Sequence, residues 1–156
     1  MNRSDLQAAL THQNVQAFLK AIRLGEGTSD ELGYYRIVGG GEFSDDSAHP
    51  KIKVYIPRYD VHSTAAGAYQ IIFPTWSGLC RQYDFPDFTP SCQDEAAVAL
   101  IAEKGALDDA KAGRLADAVA KCAQIWASLP GSQAGQRAES FDAVELVYLQ
   151  SGGTLA

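Results

Sequence analysis

The stretch Ile22-Arg23-Leu24-Gly25-Glu26-Gly27-Thr28 sets how the rest of the chain reads. Upstream of it, Val15, Phe18, Leu19 and Ile22 fall at i, i+3, i+4 and i+7, the spacing of one helix face packed on a core. Gly25 and Gly27 then stop the helix, with its end expected at Leu24–Gly25, because glycine is poor inside a helix and favoured just past its end. Glu26 therefore stands at or near a helix C-terminus, where unpaired carbonyls present partial negative charge. That field disfavours the ionised carboxylate, and adjoining apolar surface disfavours it further. A glutamate that keeps its proton near neutral pH is suited to act as a general acid. A solvated glutamate in a turn fits the same residues, so the remaining chain has to decide.

With 156 residues the chain suits one domain, residues 1–156, with room for a sizeable core. Hydrophobic residues make up 46% and charged residues 21%, which argues against global disorder. No apolar run approaches the roughly 20 residues needed to span a bilayer. The opening Met1-Asn2-Arg3-Ser4-Asp5 leads into a polar amphipathic segment instead of a signal peptide's apolar stretch, so synthesis in the cytoplasm is expected. Cys80, Cys92 and Cys122 cannot all pair with one another and none lies in a CxxC, so they read as free thiols of a reducing compartment. A net charge of −6 gives no long-range attraction to nucleic acid or to anionic membranes. An acidic glycan would equally have to be gripped by local contacts.

Ser4 with Gln7 has the form of a capping box, and Asn14 offers a second cap, so the first helix begins near residue 4 or nearer 14. Between Thr28 and Gly67, glycines and prolines punctuate short runs rich in β-branched and aromatic residues. Residues 34–38 and 51–56 read as strands of a small, irregular antiparallel sheet. Thereafter the pattern is helical: 69–83, with Pro74 in the first turn or at a kink; 90–104, with Thr89 as N-cap; 107–112; 114–128; and 140–150. The sum is an α+β fold, a mainly helical body with a small β lobe and a cleft between them for an extended ligand.

A metal site finds no support, since His12, His49 and His62 are scattered, no HExxH occurs and the cysteines lack ligand spacing; each histidine reads as a surface or loop residue. No GxSxG is present, and Gly39-Gly40-Gly41 lacks the context of a phosphate loop and reads as a tight turn. Carboxylates remain. After the sheet, Ser63-Thr64-Ala65-Ala66-Gly67-Ala68-Tyr69-Gln70-Ile71 gathers hydroxyls, an amide and an aromatic at a loop-to-helix junction, a composition suited to a sugar. Helix capping by Ser63 or Thr64 explains part of the same run.

Eight stretches, taken in order, resemble the phage lambda endolysin family, lysozyme-like lytic transglycosylases of peptidoglycan. They are Glu26-Gly27-Thr28, the runs 33–40, 43–50 and 63–70, Phe88-Thr89-Pro90-Ser91-Cys92-Gln93-Asp94, Lys104-Gly105-Ala106-Leu107, Ile125-Trp126-Ala127-Ser128-Leu129-Pro130-Gly131 and Gly152-Gly153-Thr154. The chain departs from the pattern in a shorter loop between Thr28 and Gly33, a longer N-terminal arm, and alanines at 65 and 68.

The resemblance implies a lysozyme-like fold and a single catalytic acid, Glu26. It implies cleavage of the β-1,4 bond from N-acetylmuramic acid to N-acetylglucosamine, with 1,6-anhydro ends and no cofactor. Tyr35, Ser63, Thr64, Tyr69, Gln70, Ser128, Pro130 and Gly131 would bind the glycan. Of Tyr34 and Tyr35 at most one would face the cleft, and Trp126 reads as core before sugar platform. The loops at 44–49 and 132–136 would close over the substrate. The resemblance also implies a monomer that accumulates in the host cytoplasm and reaches the cell wall through a separate holin. Two rival readings stand beside it. A hydrolytic muramidase would add a second carboxylate from Glu42, Asp45, Asp46 or Asp60. A catalytically dead glycan-binding module would need no acid at all.

Overall fold

The computed structural model describes residues 1–131 and 138–156. Two helices, α1 (Arg3–Leu10) and α2 (Gln13–Glu26), open the chain. The capping box lies two residues before the expected one: Asn2 Oδ1 accepts from the Asp5 amide at 3.0 Å, and Asp5 accepts in return from the Asn2 amide at 2.7 Å. Ser4 is inside the helix, and the reciprocal pair satisfies two N-terminal amides at once. Asn14 is no cap. It is buried, donates to the Lys111 carbonyl and accepts from the Thr154 amide, which fastens α2 to the chain's last residues.

The expected strand at 34–38 does not form. Residues Glu31–Tyr35 make a 3-10 turn, and then isolated bridges pair Arg36 with Glu42 and Ile37 with Ala66. Tertiary anchors override the strand propensity here, since Tyr34 donates to Asp94 at 2.9 Å and Tyr35 to Asp46 at 2.8 Å. Gly39 and Gly40, both at positive φ, make the expected tight turn. The one named sheet among the described residues pairs β1 (Val54–Ile56) with β2 (Val61–Ser63), antiparallel, Val54 opposite Ser63. The strand expected from 51 starts later because Lys51 is at φ 55, with its amide bonded to His49 Nδ1.

Helices then build the body: α3 (Phe73–Tyr83), α4 (Pro90–Glu103), α5 (Leu107–Ala112), α6 (Leu115–Cys122) and α7 (Phe141–Gln150). Pro74 lies in the first turn of α3, where its missing N–H goes unnoticed, so the helix starts four residues later than the pattern suggests. α6 ends at Cys122 instead of 128, and turns carry the chain on so that Trp126 enters the core. α2 packs on α7 and α5, and α1 packs on α4. α4 is buried nearly all round through Ala96, Ala97, Val98, Leu100 and Ile101, the mark of a central helix. Its acid Glu95, 1% exposed, is paired with Arg3 of α1 at 3.0 Å. All three cysteines are free.

Gln93 joins the body to the irregular lobe. Its buried amide accepts from the Ala68 N–H at 2.9 Å and donates to the Phe88 and Tyr34 carbonyls at 2.8 and 3.1 Å. Gly67, at φ 83, lies so close that a Cβ there would sit 2.4 Å from Gln93 Oε1. Replacing Gln93 by Leu strands three backbone groups, and a loss of about 3 kcal/mol in unfolding free energy is expected. Urea denaturation checks this, and a change below about 1 kcal/mol contradicts the role.

Candidate active site

Glu26 is the last residue of α2. Behind it the chain turns through Gly27 at φ 71, with the Gly27 and Thr28 amides donating to the carbonyls of Leu24 and Arg23. Arg23 holds the exit: its guanidinium donates to the Thr28 and Asp30 carbonyls and lies over the Tyr34 ring at 4.5 Å. The helix thus runs one to two residues past its expected end, straight through Gly25. The glycine at 25 serves a different need. A Cβ there would lie 2.4 Å from Ser128 Oγ, so its absence lets the 123–130 turns close on α2. That approach puts the Ser128 hydroxyl 3.2 Å from Glu26 Oε2, to which it donates.

The carboxyl opens into a cleft of about 610 Å³. Gly25, Glu26, Ile125 and Ala127 line it from the helical body, and the Gly39–Gly40 turn with Ile56, Tyr59 and Val61 lines it from the β lobe. Arg36, Ser63 and Gln70 also border it. Burial raises the Glu26 pKa from its usual 4.5 to about 7, against the lowering effect of the Ser128 hydroxyl. At neutral pH a large share of the molecules therefore carries a proton ready for donation.

The other expected site residues divide. Ser63 and Gln70 border the cleft. Gln70 holds a left-handed backbone, φ 48, and its amide donates to the Gly67 and Arg36 carbonyls at 2.8 and 3.2 Å. Thr64 accepts from the Phe73 amide at 2.8 Å, which makes it a partner of the start of α3. Tyr69 is buried, its hydroxyl bonded to Asp94 at 2.6 Å and its carbonyl accepting from Trp126 Nε1 at 3.0 Å. Trp126 is core, as expected, although it lies beyond the end of α6. Neither Tyr34 nor Tyr35 lines the cleft, and Pro130 and Gly131 also lie outside its lining. None of residues 44–49, expected to close over the substrate, lines the cleft, and 47–49 border a separate groove with Trp76 and Phe85. The loop expected at 132–136 lies outside the described residues.

His49, expected as a surface or loop residue, lies in a loop but is buried against Phe73 and Phe88 with Nε2 2.8 Å from the Ile71 carbonyl, and burial lowers its pKa. Among the described residues no group of three His, Cys, Asp or Glu side chains gathers that could hold a metal ion. The acids weighed as second carboxylates are engaged elsewhere: Asp46 with Tyr35, Asp60 with Tyr55, Asp45 with the Ser47 amide, and Glu42 with Arg36 at 3.9 Å. Among the described residues that line the cleft, Glu26 is the one carboxylate. Tyr59 is a cleft residue that the sequence reading passed over. The signal for it in the sequence is an aromatic within Pro57-Arg58-Tyr59-Asp60, a run with turn composition; in the structure its side chain is exposed.

A family model described as Endolysin matches residues 16–155. The chain belongs to the endolysin family. The endolysin of Escherichia phage P2 is 41% identical over 161 residues, covering 94% of this chain and 97% of the relative. That of Escherichia phage lambda is 36% identical, covering 90% and 92%. Bacteriophage lambda lysozyme in complex with a chitohexasaccharide superposes with a TM-score of 0.86 at 35% identity, over 92% of this chain and 97% of that one. A second structure of the lambda lysozyme gives 0.83 at 34% identity. The α+β, lysozyme-like fold expected from the sequence is therefore shown, and with it a phage endolysin, an enzyme of the lysozyme kind.

Two outcomes follow for this endolysin's acid. With a folded pKa near 7 above an unfolded 4.5, Glu26 has no effect on stability below pH 4.5, where both states are protonated. As pH rises towards 7 the unfolded state ionises first and the fold loses about 3 kcal/mol. Glu26→Gln is expected to match the parent at pH 4 and to be more stable by up to that amount at pH 8, read from thermal unfolding at the two pH values. Ser128→Ala removes the hydroxyl that favours the ionised form, so the Glu26 titration is expected to move upward. Carbon-13 NMR of the side-chain carboxyl reads this directly, and an unmoved or lowered midpoint contradicts it.

Proposed function

We propose that the chain is a lytic transglycosylase that cleaves the β-1,4 bond from N-acetylmuramic acid to N-acetylglucosamine in bacterial peptidoglycan. One observation carries the reading: a half-desolvated acid with a pKa near 7 in a cleft whose described lining holds no second carboxylate. Hydrolysis by the two-carboxylate scheme wants a partner acid at a defined distance across the bond, whereas a reaction assisted by the substrate's own acetamido group needs one. The chitohexasaccharide bound by the lambda lysozyme supports a glycan in the equivalent cleft here.

In this reading Glu26 gives its proton to the bridging oxygen as the bond to the muramoyl C1 breaks. The 2-acetamido carbonyl oxygen bonds to C1 and takes up the developing positive charge. Ionised Glu26 then removes the proton of the C6 hydroxyl, whose oxygen attacks C1 and displaces the acetamido oxygen. A 1,6-anhydro ring closes, the acid is protonated again, and no water is consumed. A residue near its own pKa at neutral pH serves both halves. Ser128 steadies the carboxyl between them, and Gln70, Ser63 and Tyr59 contact the sugars. No cofactor enters. The protein works as a monomer that leaves the host cytoplasm through holin lesions.

Mass spectrometry of products released from purified peptidoglycan tests the chemistry. Muropeptides one water lighter than reducing-end fragments are expected, and reducing ends would establish the hydrolase instead. Glu26→Gln is expected to lower wall clearing by at least about a thousandfold while the variant still sediments with cell walls. Clearing that survives the substitution removes Glu26 from the chemistry.

A further inference from the structure

The hairpin of β1 and β2 has two faces, because successive residues of a strand point to opposite sides. Val61 and Ser63 turn towards Glu26. His62 belongs to a second groove of about 580 Å³, which it lines together with Lys53, Thr64, Ile72, Phe73 and Pro74. Ser63 borders both spaces, so the groove is continuous with the rim of the cleft. Ile72 is 43% exposed and gives the groove an apolar side. Lys53 is exposed, and among the described residues it makes no ion pair. The segment 51–63 carries Lys51, Lys53 and Arg58 against the single acid Asp60, in a chain of net charge −6. An unpaired cation above aliphatic surface does not suit the hydroxyl-covered face of a sugar. It suits a short peptide with free carboxylates and small aliphatic side chains.

We propose that this groove binds the peptide stem of a muramoyl residue seated in the neighbouring cleft, with Lys53 pairing a stem carboxylate and Ile72, Phe73 and Pro74 packing on its aliphatic part. The inference rests on the glycan-cleaving reading above. Four extended residues span about 13 Å, enough for a branch leaving the sugar ring to cross the Ser63 rim and run along the groove. Local cations on the hairpin also answer the problem set by the net charge, because they hold an acidic substrate that the whole molecule repels.

The test compares kcat/KM on wall glycan strands with their peptides intact and on strands stripped by an N-acetylmuramoyl-L-alanine amidase. Wild-type protein is expected to favour the intact strands. Lys53→Glu should lose about tenfold on intact strands, mainly through KM, and change little on stripped ones. Lys53→Gln should fall between, and Lys20→Glu, the same charge change on the exposed side of α2, should leave the ratio alone. Equal losses on both strands, no loss on either, or the same effect from Lys20→Glu overturns the proposal. So does a Lys53→Glu variant that keeps the strand ratio while losing affinity for phosphatidylglycerol vesicles, which assigns the groove to an anionic lipid surface. A wild-type protein that cleaves neither strand refutes the glycan-cleaving reading and this inference with it. Cleavage of stripped strands without preference refutes this inference alone.

Discussion

Holding one carboxyl half out of water at the end of a buried helix is the constraint the molecule is arranged to meet. A carboxylate in that position is disfavoured by about 3 kcal/mol at neutral pH relative to the unfolded chain. The helix that carries it must therefore be fixed by something larger. Val15, Phe18, Leu19 and Ile22 of α2 are all buried, and each such side chain is worth roughly 1.5–3 kcal/mol. Their combined burial exceeds the strain at the tip several times over. The Arg23 clamp on Thr28 and Asp30 and the Asn14 bonds at the other end keep α2 from yielding by sliding or fraying. The acid stays desolvated because the helix has nowhere else to go.

A second polar cluster transmits that rigidity across the cleft. Asp94 of α4 accepts from both the Tyr34 and the Tyr69 hydroxyls, and burial raises its pKa while the two phenols pull it down. Tyr34 belongs to the turn before the Gly39–Gly40 lip, and Tyr69 to the junction that also supplies Gln70. One carboxylate on the central helix therefore positions chain on both sides of the site. Gln93, one residue earlier, repeats the arrangement through backbone groups. Gln93 makes all three of its amide hydrogen bonds and Asp94 accepts two phenols on one oxygen, the kind of pairing with which a polar core rigidifies a fold instead of weakening it.

This explains which features could be read from the chain. α5 is found at the predicted residues and α7 within one residue, and α4 starts at Pro90, because capping residues and glycines mark those ends locally. Glu26 was legible for the same reason, as a carboxylate next to a left-handed Gly27. The errors share a different cause. Gly25 looked like a helix stop, but its smallness serves Ser128, 103 residues away, and no local pattern carries that information. Tyr34 and Tyr35 looked like strand residues, but Asp94 and Asp46 draw them elsewhere. Tyr69, at a loop-to-helix junction, looked like a glycan-binding aromatic, yet it is buried and its hydroxyl is spent inside the protein. Long-range partners decide all three, and a single sequence does not reveal them.

The two walls of the cleft differ in how far they depend on the rest of the protein. The acid's wall is the helical core, and a change there disturbs the whole fold. The opposite wall is a hairpin of two three-residue strands, and such a ribbon is marginal by itself in water. It is held through neighbouring backbone bonds, with Val38 donating to Ala65 and Ala66 exchanging bonds with Ile71. Its exposed side chains, Tyr55, Tyr59, Val61 and His62, touch little of the core. They can vary in size and charge without shifting Glu26. The acid thus belongs to the part that cannot change cheaply, and the facing lip to the part that can. This is the division expected where binding loops ride on a rigid scaffold. In a chain of net charge −6, three cations, Lys51, Lys53 and Arg58, stand against one acid, Asp60, between residues 51 and 63, so that adaptable lip is locally basic.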